Sequence, residues 1–285
     1  MISKWMKIIS AMKALAKKNA PAERPRPSTL LILTVWKRSL LAENWLDLIE
    51  GFDAISLKVA DGSGSFQLSE ARKMASGVRS AGLLVHAWGF HRCETFEAAR
   101  KEGEAAAKAA LSIGAIAYHW NAEKQWANSP NTQGTALAFA KAFKGRAPAV
   151  ELYANCFNAP VNDSIVKAFD VLEPMCYGTK ASTIAKKIDK RMTRPGIPRE
   201  KLAIMVGTGR LNKDVPGQAW GYHFEGDDGV PGMLGLALEH RPVAINYFRA
   251  GVAGGEDIMQ SGNPINIRLS DQAQQIRAAL DGAVV

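Results

Sequence analysis

Residues Ala54–Trp88 read AISLKVADGSGSFQLSEARKMASGVRSAGLLVHAW. Ala54–Val59 and Leu83–Trp88 are short apolar runs bounded by Gly, Ser and Asp, the signature of buried strands. Between them Ser69–Ser80 (SEARKMASGVRS) carries helical patterning. A strand, a helix and a strand in this span make one βαβ unit, and a crossover of that length makes the two strands parallel.

The alternation continues on both sides. Leu30–Val35 (LLILTV) precedes the unit, and Ala115–Trp120, Ala149–Ala154, Val171–Tyr177, Leu202–Val206 and Val243–Phe248 follow it as strand candidates. Helical patterns occupy Thr95–Leu111, Thr132–Phe143, Ala181–Met192, Met233–Glu239 and a terminal Ser270–Leu280. Eight strands with intervening helices predict an α/β fold, a (β/α)8 TIM barrel over residues 29–285. An open doubly wound sheet is the alternative, but no GxGxxG follows the first strand, which argues against a dinucleotide site.

Ahead of the barrel, Met1–Asn19 (MISKWMKIISAMKALAKKN) places Ile2, Trp5, Met6, Ile9 and Met12 at helical spacing among five lysines. This is a basic amphipathic helix, suited to a membrane surface, a protein assembly or the barrel itself. Lysines interrupt its apolar stretch, so no clear secretory signal is formed. Synthesis in the cytoplasm is the expectation, with a virion or cell-envelope destination. Ala20–Ser28 (APAERPRPS) is a Pro-rich linker. The net charge of +9 favours an anionic partner; a polysaccharide is expected rather than nucleic acid. Cys93, Cys156 and Cys176 fit no zinc spacing and read as buried thiols. No cofactor and no metal is expected.

Two features carry chemistry. The connection Gly207–Gly232 (GTGRLNKDVPGQAWGYHFEGDDGVPG) is too long to be mere linkage and leaves a strand C-terminus, where barrel enzymes build their sites. It brings Trp220, Tyr222 and His223, aromatics suited to stacking on a sugar. The fourth strand ends His119-Trp120-Asn121-Ala122-Glu123, followed by Trp126. Period-two alternation puts Asn121 and Glu123 on one side, an amide and a carboxyl together at the barrel mouth. An apolar mouth raises a carboxyl's proton affinity, which suits a general acid; pairing of Glu123 with Lys58 or Lys124 is the structural alternative. The same alternation places Glu173, Met175 and Tyr177 on one face of the sixth strand. His86, His91 and His119 offer a rival reading, a metal-dependent hydrolase, although no HxH or HExxH spacing is present.

The segments DAISLKVADGSGSF, AGLLVHAWGFHR and IAYHWNAE resemble the second to fourth strands of glycoside hydrolase family 25 lysozymes, and are similar to the wider group of lysozyme-like and chitinase-like barrels. Lys58-Val59-Ala60-Asp61-Gly62 stands where that family has Lys-Ala-Thr-Glu-Gly, Trp88-Gly89-Phe90-His91 where it has a Tyr-His-Phe-like cluster, and Asn121-Ala122-Glu123 where it has Asp-x-Glu. Two of the family's three acids are missing: the first strand supplies no Asp, and Asn121 replaces another. The resemblance implies cleavage of an N-acetylhexosamine polymer of peptidoglycan type, in a phage-type lytic or virion protein. Glu123 would be the acid, and Asn121 and Tyr177 would hold the acetamido group as in substrate-assisted enzymes. Trp88, Trp120, Trp126, Trp220, Asp61 and His91 would line the cleft. The alternative is a non-catalytic structural or carbohydrate-binding barrel in a larger assembly.

The helix-and-linker reading has its own test. Deleting Met1–Ser28 should leave the melting temperature nearly unchanged and abolish co-purification with the partner; a large fall in melting temperature would show that the helix packs on its own barrel.

Overall fold

The computed structural model describes residues 29–35, 49–122, 124–156, 162–176, 181–193, 197–207, 230–250 and 273–281. The N-terminal helix, the Pro-rich linker, Glu123, Tyr177 and most of the Gly207–Gly232 connection, Trp220 included, lie outside the described residues.

Eight strands form the barrel: β1 Leu30–Val35, β2 Ala54–Asp61, β3 Leu84–His91, β4 Ala117–Ala122, β5 Glu151–Cys156, β6 Val171–Leu172, β7 Ala203–Gly207 and β8 Ala244–Ala250. Neighbours pair in parallel in the order β6-β5-β4-β3-β2-β1-β8-β7. The ends of this row meet through parallel bridges Leu172↔Leu202 and Met175↔Met205, which close it. The sixth strand is shorter than the expected Val171–Tyr177 because Pro174 has no N–H to give a ladder. After Glu173 N–H bonds Ala154 O at 2.8 Å, the chain leaves β5 and turns to β7.

Around the sheet lie α1 Leu68–Ser80, α2 Phe96–Ser112, α3 Lys124–Ala127, α4 Thr132–Arg146, α5 Asp163–Ala168, α6 Ala181–Thr193 and α7 Val230–His240, with a last helix over 273–281. Their starts are chemically marked. Thr95, Asn131 and Asn162 each accept a backbone N–H three residues on, from Ala98, Gly134 and Ile165. Helices α2 and α4 approach closely because Gly103 faces the Phe139 carbonyl; a Cβ there would stand 2.5 Å from that oxygen.

Alternation along each strand divides the interior in two. Leu31, Leu33, Ile55, Leu57, Val85, Tyr118, Trp120, Leu152, Ile204 and Tyr247 join helix residues such as Met74, Ala106, Phe139 and Ile188 in one continuous apolar layer outside the sheet. The residues between them point into the barrel. Leu30, Ile32, Ala54, Ala117, Tyr153, Val171, Ala203 and Ala244 pack its base. Trp88, Met205 and Phe248 pack higher, against Met175. This is the layered packing of a closed barrel.

The 273–281 helix seals one end. Arg277 pairs with the Asp53 carboxylate and donates to Thr29 O at 2.8 Å, while Asp53 accepts the Leu31 N–H at 2.7 Å. Gly51 makes this docking possible. Its φ is +90, and a Cβ would stand 2.5 Å from Gln274 N. Gly51→Ala should therefore cost roughly 1–3 kcal/mol of stability, read as a lower melting temperature with an unchanged far-ultraviolet spectrum. A neutral result would mean that the helix does not dock there in solution.

Candidate active site

All eight barrel strands point the same way, so β4 delivers Asn121 to the same end as the C-termini of β2, β3 and β5. Asn121 is buried and stands level with Phe90 on β3 and Asn155 on β5. Two residues earlier, on the same face, His119 is level with Trp88 and Tyr153. Asn155 places its amide 3.9 Å from Met205 Sδ, and its Oδ1 has no hydrogen-bond partner among the described residues. Two amides therefore share the upper interior of the barrel. Glu123 follows one residue after the end of β4.

Lys58 enters from β2. Its side chain is 2% exposed, its ammonium lies 2.9 Å from Asp61 Oδ2, and it sits over the rings of Phe66 and Trp88 at 4.2 and 5.3 Å. Residues three apart on a regular strand face opposite sides; here the register shifts between Lys58 and Ala60, and this irregularity lets the pair meet. Asp61 closes a hairpin onto Gly64 through Gly62, whose φ is +60. Asp61 is half-exposed beside Arg92, so of the expected cleft residues it is one that solvent reaches.

Beneath Asn121 a chain of hydrogen bonds crosses three strands. His86 Nδ1 lies 3.0 Å from His119 Nε2, and His119 Nδ1 lies 2.9 Å from Glu173 Oε2. All three side chains are fully buried. The Tyr153 ring packs on both imidazoles, 4.5 Å from His119 and 5.9 Å from His86. Extending the alternation from Asn121 back to His119, and joining it to the Glu173 face of β6, is the signal by which the sequence could have disclosed this chain.

Several expected cleft residues stand elsewhere. Trp120 is one residue from Asn121 and so faces out of the barrel, stacked on Phe169 and packed on Phe139 and Trp126. Trp126 is buried on α3, its indole N–H bonded to Thr132 O at 2.8 Å. His91 also faces outward. It lies between the Tyr118 hydroxyl, at 2.7 Å, and Glu102 Oε2, at 3.0 Å. These three are packing residues, not cleft walls. Trp88 does face the barrel, but it is 1% exposed, bonded to Val35 O and set edge-on to Phe248. It caps the interior rather than presenting an open face. The metal reading loses its geometry as well: His91 is on the other side of the sheet from His86 and His119, which bond each other. Among the described residues no three His, Cys, Asp or Glu side chains converge as a metal set.

The outward cluster is a lock between β3 and α2. Burial drives the His91 imidazole well toward its neutral form. Its Nδ1–H then donates to Glu102, and its Nε2 accepts the Tyr118 O–H. Burial pushes the Tyr118 hydroxyl and the Cys93 thiol up, so both stay protonated. Burial also works to raise Glu102, but the His91 bond and the N–H groups of Cys93 and Arg92 outweigh it and hold the carboxyl below its ordinary value. Gly89 gives this cluster room; a Cβ there would come within 2.2 Å of Tyr118 Oη.

The comparisons with known proteins agree with this architecture. No family model matches the chain, and no curated protein does. Solved structures do. A chitinase from Bacteroides thetaiotaomicron superposes with a TM-score of 0.60 at 9% identity, over 78% of this chain and 89% of that one. The Ostrinia furnacalis Group IV chitinase gives 0.64 at 8% identity, over 88% and 100%. The Bacillus megaterium spore cortex-lytic enzyme gives 0.59 at 10%, over 89% and 75%. The chain shares the (β/α)8 barrel fold of these structures. At such identities the likeness is one of fold, and residue roles rest on the geometry above.

The Glu102 lock is pH-dependent, because its carboxyl is held below the ordinary value. A carboxyl held low in the folded state contributes stability above its ordinary value of 4.5, lost as pH falls through the lower folded value. Glu102→Gln should cost about 1.5–3 kcal/mol at neutral pH, with the difference from wild type shrinking in acid. Urea titrations at pH 7 and pH 3 measure it; an equal cost at both would refute the charged lock.

Proposed function

We propose that the chain is a glycoside hydrolase-like barrel acting on a polymer of N-acetylhexosamine, with peptidoglycan the first candidate substrate. The observation that supports this most is the placement of Asn121 inside the barrel at the C-terminal end of β4, with Glu123 two residues on. A barrel enzyme presents its reacting groups at this end. One acid and one amide are enough when the substrate supplies its own nucleophile.

In this reaction the acetamido carbonyl oxygen of the substrate attacks the anomeric carbon. The bond to the leaving oxygen breaks, and that oxygen takes the proton of Glu123. The Glu123 carboxylate then accepts a proton from the water that opens the cyclic intermediate, which restores the acid. Asn121 orients the acetamido group, and Tyr177 is the second candidate for that role. Trp220 on the long connection after β7 is the remaining candidate for stacking on the sugar. The solved structures named above carry the printed descriptions chitinase and spore cortex-lytic enzyme, and a cleavable N-acetylhexosamine chain is the substrate class that suits both. The basic helix of residues 1–19 serves in this proposal as the docking arm that brings the barrel to an envelope or an assembly, the setting of a phage-type lytic or virion protein.

The test is release of reducing ends from purified peptidoglycan and from chitin. Glu123→Gln keeps shape but removes the transferable proton, so turnover should fall about 10²–10⁴-fold while sugar binding persists. Asn121→Ala should also slow turnover. If wild-type protein binds these polymers but releases no ends, the barrel is a carbohydrate-binding module.

A further inference from the structure

Asp61, Phe90, Asn121 and Asn155 stand in one row across β2, β3, β4 and β5, near the C-terminal end of the barrel. Arg92 comes one step above that row. It is the first residue past β3, and Glu123 is the first past β4. The last residues of these two strands, His91 and Ala122, are paired. The arginine and the candidate acid therefore follow neighbouring strands from matched positions.

Arg92 is pinned at its backbone and open at its head. Its N–H is bonded to Glu102 Oε2 at 3.1 Å. That carboxylate is enclosed on the helix side of β3, where it also meets His91 and the Cys93 N–H. The Arg92 side chain is 55% exposed and lies over the β2 hairpin. One guanidinium nitrogen is 3.6 Å from where a Gly62 Cβ would stand, and another is 3.9 Å from Asp61 Oδ1, beyond hydrogen-bond reach. Among the described residues the guanidinium donates no hydrogen bond. Asp61, for its part, is already matched: its Oδ2 takes the buried Lys58 ammonium at 2.9 Å. Of the described residues, two cations and one anion meet at this corner of the rim, and the surplus cation is the one that faces solvent.

We propose that Arg92 selects the polymer, by binding a carboxylate that peptidoglycan carries and chitin lacks. This rests on the polymer-binding part of the function proposed above and narrows its substrate to an acidic chain. A guanidinium offers a planar pair of N–H groups that fit two carboxylate oxygens, and the contact is charge-assisted on both sides. A free pair on a surface is weak. Here the arginine backbone is anchored and the rest of the mouth holds the chain, so the contact has only to discriminate. The head turns from Asp61 toward a ligand without breaking a hydrogen bond. Two groups supply the carboxylate in peptidoglycan: the lactyl ether of the sugar where its peptide stem has been removed, and the stem itself where it remains.

Calorimetric binding by the full chain tests the assignment, with reducing ends assayed in the same samples. Three ligands of matched sugar number are compared: chitin oligosaccharides, glycan strands stripped of stems by an amidase, and strands that keep their stems. At least one acidic ligand should bind roughly tenfold tighter than chitin oligosaccharide, with the preference shrinking as salt is added. Preference for stripped strands assigns the carboxylate to the sugar; preference confined to stem-bearing strands assigns it to the stem. Arg92→Gln should erase the preference and leave chitin affinity unchanged, and methyl esterification of the ligand should do the same to the wild type. Arg92→Lys should keep part of it, having the charge without the fork. The melting temperature should not move in either variant, because the side chain makes no internal hydrogen bond.

Equal binding of all three ligands by the wild type overturns the assignment. So does an Arg92→Gln protein that keeps the preference, or one that loses chitin binding as well. Reducing ends released in any of those cases leave the glycosidase standing without its selector. A preference found with no release of ends keeps Arg92 and removes the hydrolysis. A protein that binds none of the three loses both.

Discussion

Both faces of these parallel strands are buried because the sheet closes on itself, and among the described residues the seam is made by the bridges Leu172↔Leu202 and Met175↔Met205. Cys176 N–H reaches Met205 O at 2.8 Å, and Met205 N–H reaches Pro174 O at 3.1 Å. Without that seam β6 and β7 would be sheet edges, and the polar row in the interior would lie open to water. Pro174 makes the seam possible by the same property that shortens β6. It offers a carbonyl but no N–H, so the strand is released from β5 just where it has to turn toward β7.

Closure sorts side chains strictly. Each strand contributes one set to an oily layer beneath the helices and another to the barrel lumen. The lumen is graded along its axis, with small and aliphatic residues at the base, hydrogen-bonding groups in the middle, and Trp88, Met205 and Phe248 with Lys58 near the top. The polar middle is fixed by the sheet rather than by loops. Thr34 donates to Asn246 Oδ1 across β1 and β8 at 2.7 Å, much as the histidines bridge β3, β4 and β6.

The architecture was legible because buried parallel strands are unbroken apolar runs and the helices between them are long and patterned. The strands lie within a few residues of the apolar runs that predict them, and Asn121 stands on the inward side of β4, two residues after His119. The placements of Trp120 and His91 share one cause. The alternation that turns Asn121 inward turns Trp120 outward, so a tryptophan next to a candidate catalytic residue in sequence stands behind it in space. Aromatic character suggested a sugar platform; parity decided for packing. His91 was misplaced for the same reason, since the strand continues three residues past the expected end at Trp88 and carries it to the helix side. The short helices α3 and α5 were missed because four and six residues hold too little periodicity to register, although the Asn162 cap was there to be read. The histidine–glutamate row joins residues 33 and 54 apart in sequence, so it is readable only once the inward faces of β3, β4 and β6 are set side by side.

The irregularity between Lys58 and Ala60 has a meaning beyond the ion pair it permits. In a pleated strand, one extra residue inverts which side every later residue serves. Placed near the top of β2, it rewrites the rim while leaving Ala54, Ser56 and the base untouched. Single-residue insertions or deletions at this point are thus a route by which such a barrel exchanges the chemistry of its rim, a whole set of side chains at a time, against a scaffold that does not have to be refolded to accept the change.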